Sequence, residues 1–259
     1  GKVRSNTPFE ELYIQPASGD NGTALGAALW AWHARGGRRE FVMTHGYWGP
    51  SFDDAAVAAA IAARSAEVDR RAVRSYIEDE PALCDWAAGR IADGSVLGWF
   101  QGRMEWGARA LGNRSILADP RRADMREVIN TRIKFREKFR PFAPSIQVGA
   151  LAEYFVDAVP DPFMIQVYPV RPEKRRIIPA VTHVDGSGRL QTVSPETNPR
   201  YWRLIEAFRV RTGVPVLLNT SFNENEPIVH QPSEALDCFL RTDMDALVMG
   251  NHVLEKLEN

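Results

Sequence analysis

The segment Gln101-Gly-Arg-Met-Glu-Trp-Gly-Ala-Arg-Ala-Leu-Gly-Asn-Arg-Ser-Ile-Leu-Ala-Asp-Pro120 interleaves Gly102, Gly107 and Gly112 with Arg103, Arg109 and Arg114. Glycine lets a backbone approach a ligand closely, and planar guanidinium forks match phosphate oxygens two at a time. The pattern is neither G-x-x-x-x-G-K-[ST] nor G-x-G-x-x-G, so the usual nucleotide loops are absent. A second basic cluster, Asn130-Thr-Arg-Ile-Lys-Phe-Arg-Glu-Lys-Phe-Arg-Pro-Phe-Ala-Pro144, contains Lys134 and Lys138. If a helix continues there, Asn130 and Lys134 share a face; the plainer reading is a helix end whose cations answer the macrodipole. In Thr182–Val193 (THVDGSGRLQTV), Arg189, Gln191 and Val193 alternate onto one face of a strand. In Val214–Asn223 an apolar strand ends in Asn219, Thr220 and Ser221, a common place for a site and also a common turn.

The charge pattern agrees with an anion site. The 259 residues carry 32 Lys+Arg and 33 Asp+Glu, a net charge of −1. Between Arg103 and Arg140, however, nine Arg and two Lys face five acids, so this stretch is +6 and the remainder −7. Such a block attracts phosphate, whether on a nucleotide, a small substrate or a nucleic acid, or is a solvated, salt-bridged surface. At 44% apolar and 25% charged the chain is an ordinary folded one of one large or two small domains. No run approaches the roughly 18 to 20 apolar residues of a membrane span, and residues 1–30 lack a signal-peptide pattern. Cys84 and Cys238 are too few for a disulfide framework, which points to the cytoplasm.

The elements that must hold these motifs follow from periodicity and turn chemistry. Glu11–Gln15 reads as a short strand, turning through Pro16–Gly22 into a helix over Thr23–His33 that Gly36-Gly37 stops. Asp53-Asp54 caps an Ala-rich helix to about Ala66, and the polar stretch Glu67–Arg74 reads as a linker. Then come a helix over Ala82–Ala92, a strand over Val96–Phe100, and a helix started by Asp124 and Glu127 in capping-box spacing and running through Lys134. Ser145–Val148, Phe163–Tyr168 and Ile177–Val184 read as strands, the last turning at Asp185–Gly188 into a hairpin with Arg189–Val193. Asn198-Pro199 starts a helix ending at Gly213; Val214–Leu218 is a strand, Pro232–Arg241 a helix and Ala246–Met249 a strand. Hairpins mixed with helices predict an α+β fold.

GRMEWGARALGNRSIL, IKFREKFRPFAPS, VTHVDGSGRLQTV and GVPVLLNTSFNENEPIV together resemble the carboxy-terminal part of the carbamoyltransferase family that includes nodulation-factor and antibiotic O-carbamoyltransferases. The resemblance runs from about Leu12 to the end; Ala108 stands where the family has proline, which loosens φ without altering the chemistry. It implies a YrdC-like mixed sheet with helices over 75–259, preceded over 1–68 by the tail of an ASKHA-type carbamoyl-transfer domain. The rest of that domain would be this chain's partner. The implied reaction forms carbamoyl adenylate from carbamoyl phosphate and ATP, with Mg²⁺, for transfer to a hydroxyl of a sugar-containing acceptor. The resemblance assigns Arg109, Lys134 and Arg189 to the charge cluster that offsets the repulsion of the substrate phosphates. Arg103, Arg114, Ser115 and Lys138 are further binding candidates, with Asn219, Thr220 and Ser221 for the adenylate or Mg²⁺. Within QPASGDNGTALGAA, Asp20 corresponds to one ligand of an iron-type metal whose histidine ligands lie upstream; alone it is equally a helix cap.

Two other classes compete. A concave basic sheet would hold RNA, but the arginines alternate with glycine and no aromatics follow at base-stacking intervals, so no nucleic-acid partner is expected. A docking scaffold would use the seven Trp and twelve Phe, which are more often core. For Arg109 itself the alternative is an i, i+4 ion pair with Glu105.

Overall fold

The computed structural model describes residues 1–137 and 140–257. Its strands are β1 (Ala72–Tyr76), β2 (Leu97–Phe100), β3 (Arg114–Ala118), β4 (Ala143–Gln147), β5 (Tyr168–Pro169), β6 (Ser187–Gly188), β7 (Gln191–Val193), β8 (Val216–Ser221), β9 (Ala246–Met249) and β10 (His252–Lys256). Eight form one sheet in the order β1-β10-β9-β2-β3-β8-β4-β7. The β2–β9 and β4–β7 pairs are parallel and the rest antiparallel. The helices are α1 (Lys2–Asn6), α2 (Asp20–Ala34), α3 (Asp54–Ala63), α4 (Ser65–Arg71), α5 (Glu80–Ala92), α6 (Met125–Ile129), α7 (Leu151–Tyr154), α8 (Pro199–Thr212) and α9 (Pro232–Arg241). This is an α+β protein built on a mixed sheet, as the pattern predicts.

The central strands are near-continuous apolar runs buried at every position, as in LGWF of β2 and ALVM of β9. Such strands need cover on both faces. α8 packs on α5, β4 and β8, while α9 packs on β2, β9 and α3. α8 shows why the sequence makes a helix here. Asn198 caps it by accepting from the Tyr201 amide at 3.2 Å, and Pro199 fits the first turn. Gly213 ends it at φ 75, and Tyr201, Leu204, Ile205 and Phe208 repeat at helical spacing on the buried face. Burying each such side chain contributes about 1.5–3 kcal/mol.

Several expectations fail for local reasons. Glu11–Gln15 forms no strand, and the stretch read as a linker is α4 followed by the edge strand β1. The polarity of 67–74 is that of an edge: β1 is exposed at four of its five positions. Asp124 makes no side-chain cap; its carboxylate turns to the Arg122 guanidinium at 2.8 Å. Most of Phe163–Tyr168 is a loop, with only Tyr168 in a strand, because Asp161 gathers the amides of Phe163, Ile165 and Gln166 at 2.7–3.0 Å. Ile177–Val184 is broken by a 3-10 turn at Pro179–Val181, whose carbonyls are drawn to the Arg126 guanidinium. Asp185–Gly186 does turn the chain, but no hairpin forms: β6 pairs with β5, whereas β7 runs parallel to β4. The strands β3 and β10 were not foreseen.

Candidate active site

The four basic and polar motifs come together where β3, β4 and β8 end, around a cavity of about 90 Å³. Its lining includes Arg109, Arg136 and Arg189, with Asn219, Thr220 and Ser221 from the end of β8. Two of the guanidiniums bear on the third. Arg189 is pulled down to about 10, first by burial and then by the charges of Arg109 and Arg136. Its Nε is buried and has no hydrogen-bond partner among the described residues. Arg136 is lowered by burial and by Arg140. Converging cations with an orphaned donor are the electrostatics of an anion site. The volume fits a phosphate- or carbamoyl-sized group, so a nucleoside would have to lie outside it.

Lys134 stands behind this wall. Its ammonium meets the Ser221 carbonyl at 2.6 Å, the Asn223 carbonyl at 2.6 Å, Asn223 Oδ1 at 2.7 Å and Ser221 Oγ at 3.3 Å. Burial and the Arg136 charge bring it down to about 7. Lys134 therefore fixes the end of β8 and adds positive potential without lining the cavity. It sits on a π-helical turn, Asn130–Lys134, closed by Phe135 at φ 43. A bulky residue in the left-handed region is strained and π-turns often mark functional sites. Here the turn swings Arg136 back over the Phe142 ring at 4.8 Å, with Nε on Asn130 Oδ1 at 3.3 Å. The helical i, i+4 relation expected for Asn130 and Lys134 is thus replaced by two separate tasks.

The other candidates are placed differently. Arg103 donates to the carbonyls of Gly49 and Trp48 at 2.9 and 2.8 Å, tying the segment His45–Pro50 to the loop. Arg114 lies beneath the loop, 3.6 Å over the Phe100 ring, donating to the carbonyls of Gln101 and Asn113 at 2.6 and 2.9 Å. Ser115 is buried and its Oγ accepts from the Gly112 amide at 3.0 Å. Neither lines the cavity, because both side chains are used up in holding the loop. Lys138 lies outside the described residues. Arg109 is not held by Glu105. That carboxylate is buried and accepts from the amides of Leu111, Asn113 and Arg114. Burial pushes Glu105 above the usual carboxylate range against the pull of those amides.

Arg136 lies in the second basic cluster but was not among the site candidates, and Glu105 entered only as an alternative ion-pair partner of Arg109. The signal for Arg136 was its place two residues after Lys134 in a run opposed only by Glu127 and Glu137. Nothing in the sequence announced that Glu105 would be buried. At the cavity wall, Asn219 Nδ2 reaches the Ala110 carbonyl, Ser145 Oγ and Gln191 Oε1 at 3.1–3.2 Å, and its Oδ1 is buried with no partner among the described residues. Asp20 opens α2, exposed, after an N-cap at Gly19. Among the described residues no three His, Cys, Asp or Glu are grouped to hold a metal.

Comparison with known proteins identifies the family. The family model described as Carbamoyltransferase C-terminus matches residues 88–256, and Carbamoyltransferase N-terminus matches 1–29. The chain belongs to the carbamoyltransferase family. Nodulation protein NolNO of Sinorhizobium fredii is 48% identical over 99% of this chain and 38% of its own length. Nodulation protein NolO of Bradyrhizobium diazoefficiens is 45% identical over 99% of this chain and 46% of its own. The 3'-hydroxymethylcephem-O-carbamoyltransferase of Amycolatopsis lactamdurans is 36% identical over 96% and 45%. The chain spans less than half the length of these relatives. Full-length HypF in its phosphate- and nucleotide-bound form superposes with a TM-score of 0.45 at 13% identity, over 73% of this chain and 23% of that one.

Proposed function

We propose that this chain carries the carbamoyl-activating site of an ATP-dependent O-carbamoyltransferase. The single observation that carries the reading is the cavity lined by Arg109, Arg136 and Arg189, with three positive charges set round a space the size of one phosphate. Water cleaves carbamoyl phosphate to carbamate and phosphate; a carbamate oxygen then attacks the α-phosphorus of ATP, and pyrophosphate leaves. Carbamate and triphosphate repel each other, so fixed cations are needed before the oxygen can approach in line. The arginines supply them, Lys134 adds potential through the Ser221 end of β8, and Thr220 and Ser221 offer hydroxyls to the adenylate or to Mg²⁺ brought with ATP. No side chain acts as nucleophile.

Transfer to the acceptor belongs, in this proposal, to a larger ASKHA-like domain of which residues 1–68 are the tail, with 75–259 as the YrdC-like adenylating domain. α2 supports it. The helix is apolar round its circumference, yet none of its residues is buried, and Trp30 and Trp32 are 75% and 60% exposed. A helix of that kind is normally enclosed, and the relatives are more than twice as long as this chain. An iron-type metal would be held by that domain, with Asp20 as one ligand. The stronger likeness to the nodulation proteins, 48% and 45% against 36% for the cephem enzyme, favours a sugar hydroxyl such as that of a nodulation factor. The test is exchange of labelled pyrophosphate into ATP. Exchange that depends on carbamoyl phosphate supports adenylation in this chain; exchange without it, or none in folded protein, refutes it.

A further inference from the structure

Among the described residues Arg109 has no hydrogen-bond or ion-pair partner, yet it lines the cavity. What fixes it lies in the loop that follows. The amides of Leu111, Asn113 and Arg114 all turn inward onto one oxygen, Glu105 Oε1, at 2.6, 2.8 and 3.3 Å. The carbonyls of the same loop are held from the other side. Asn219 Nδ2 donates to Ala110 at 3.2 Å, while Tyr47 Oη and Gln191 Nε2 donate to Leu111 at 2.9 and 2.7 Å. Burying a carboxylate is costly unless its charge is used. The other oxygen, Oε2, is buried without a hydrogen-bond partner among the described residues. The nearby cation, Arg114, spends its donors on backbone carbonyls. An apolar residue would fill this space at lower cost, so the buried acceptor has a task, and the three amides it gathers identify the task.

We propose that Glu105 is a positioning residue of the anion site: by collecting the amides of Leu111, Asn113 and Arg114, its carboxylate sets the loop that carries Arg109 at the cavity rim. The inference rests on the reading of that cavity as an anion site. Glu105 touches no substrate; it acts through Arg109.

Glu105→Ala, Arg109→Ala and the double variant separate this role from general support. Amide hydrogen exchange in the protein should show Leu111, Asn113 and Arg114 protected in the wild type and in Arg109→Ala, and exposed in Glu105→Ala. Inorganic pyrophosphate, titrated calorimetrically, should bind about ten- to a hundredfold more weakly to either single variant. The double variant should be no weaker than Arg109→Ala, since both changes remove the same contact. Glu105→Gln, which keeps an acceptor at the same reach, should recover protection and most of the affinity. If Glu105→Ala does not fold, Glu105→Asp provides the contrast by withdrawing the acceptor by one methylene. Losses that multiply in the double variant, unchanged exchange, or lost protection with normal pyrophosphate binding would each overturn the assignment. A wild type that binds no pyrophosphate would overturn the anion site as well, and the exchange pattern would still report whether the clamp exists.

Discussion

Replacing Arg109 by alanine separates binding from folding. Arg109 lines the cavity together with Arg136 and Arg189, and its charge helps to lower the pKa of Arg189. In the free protein it is therefore a source of repulsion, and its removal should leave the melting temperature unchanged or slightly raised. With an anion bound the same residue supplies a bidentate charge-assisted contact, worth about 1.5–3 kcal/mol. At about 1.4 kcal/mol per tenfold, carbamoyl-phosphate-dependent pyrophosphate exchange should fall by one to two orders of magnitude. Arg109→Lys should recover part of the loss, because an ammonium restores charge but not the fork. Calorimetric melting and exchange rates, measured on the same preparations, decide the matter. A melting temperature lowered by several degrees, with near-normal exchange by the folded fraction, would show that Arg109 supports structure and would refute the reasoning.

Other changes test the surroundings. Arg114→Met should cost about 2–4 kcal/mol of stability, because it strips the carbonyls of Gln101 and Asn113 of a buried donor and Phe100 of its cation; chemical denaturation measures it. Gly112→Ala should prevent folding or lower the melting temperature sharply, since φ is +107 and the new Cβ would meet Tyr201 Cδ1 at 2.1 Å. Lys134 titrates near 7 when folded and near its ordinary 10.5 when unfolded, so below pH 7 its burial opposes folding in full and between the two values that cost is lost. Wild-type stability relative to Lys134→Met should accordingly rise from pH 7 towards 10, at up to about 1.4 kcal/mol per pH unit, in denaturation curves across that range. A flat difference would mean the four oxygens around the ammonium keep it charged.

What the sequence disclosed and what it hid differ in kind. α8, α9 and β9 were legible because caps, turns and apolar periodicity are local, and all three agree at Asn198, Gly213 and Pro232–Arg241. The loop over residues 163–167 was hidden because a buried Asp161 captures the amides of Phe163, Ile165 and Gln166. β3 was hidden by its own first residue, an arginine in a fully buried strand, which only makes sense once Phe100 and the loop carbonyls surround it. Of the site, the sequence marked the cations and the polar strand end at Asn219–Ser221. Which cations face the cavity depends on a π-turn and a left-handed Phe135, neither of which has a spacing to read. Arg114 and Arg109 look alike in the sequence and are separated only by the fold.

Direct detection of the product tests the central claim. The protein is incubated with isotopically labelled carbamoyl phosphate and ATP, quenched, and searched by mass spectrometry for carbamoyl adenylate. The account expects the labelled adenylate in step with pyrophosphate, and a strong reduction of both in Arg189→Ala. ATP consumed to ADP and phosphate with no labelled adenylate, or adenylate undiminished without Arg189, would contradict it.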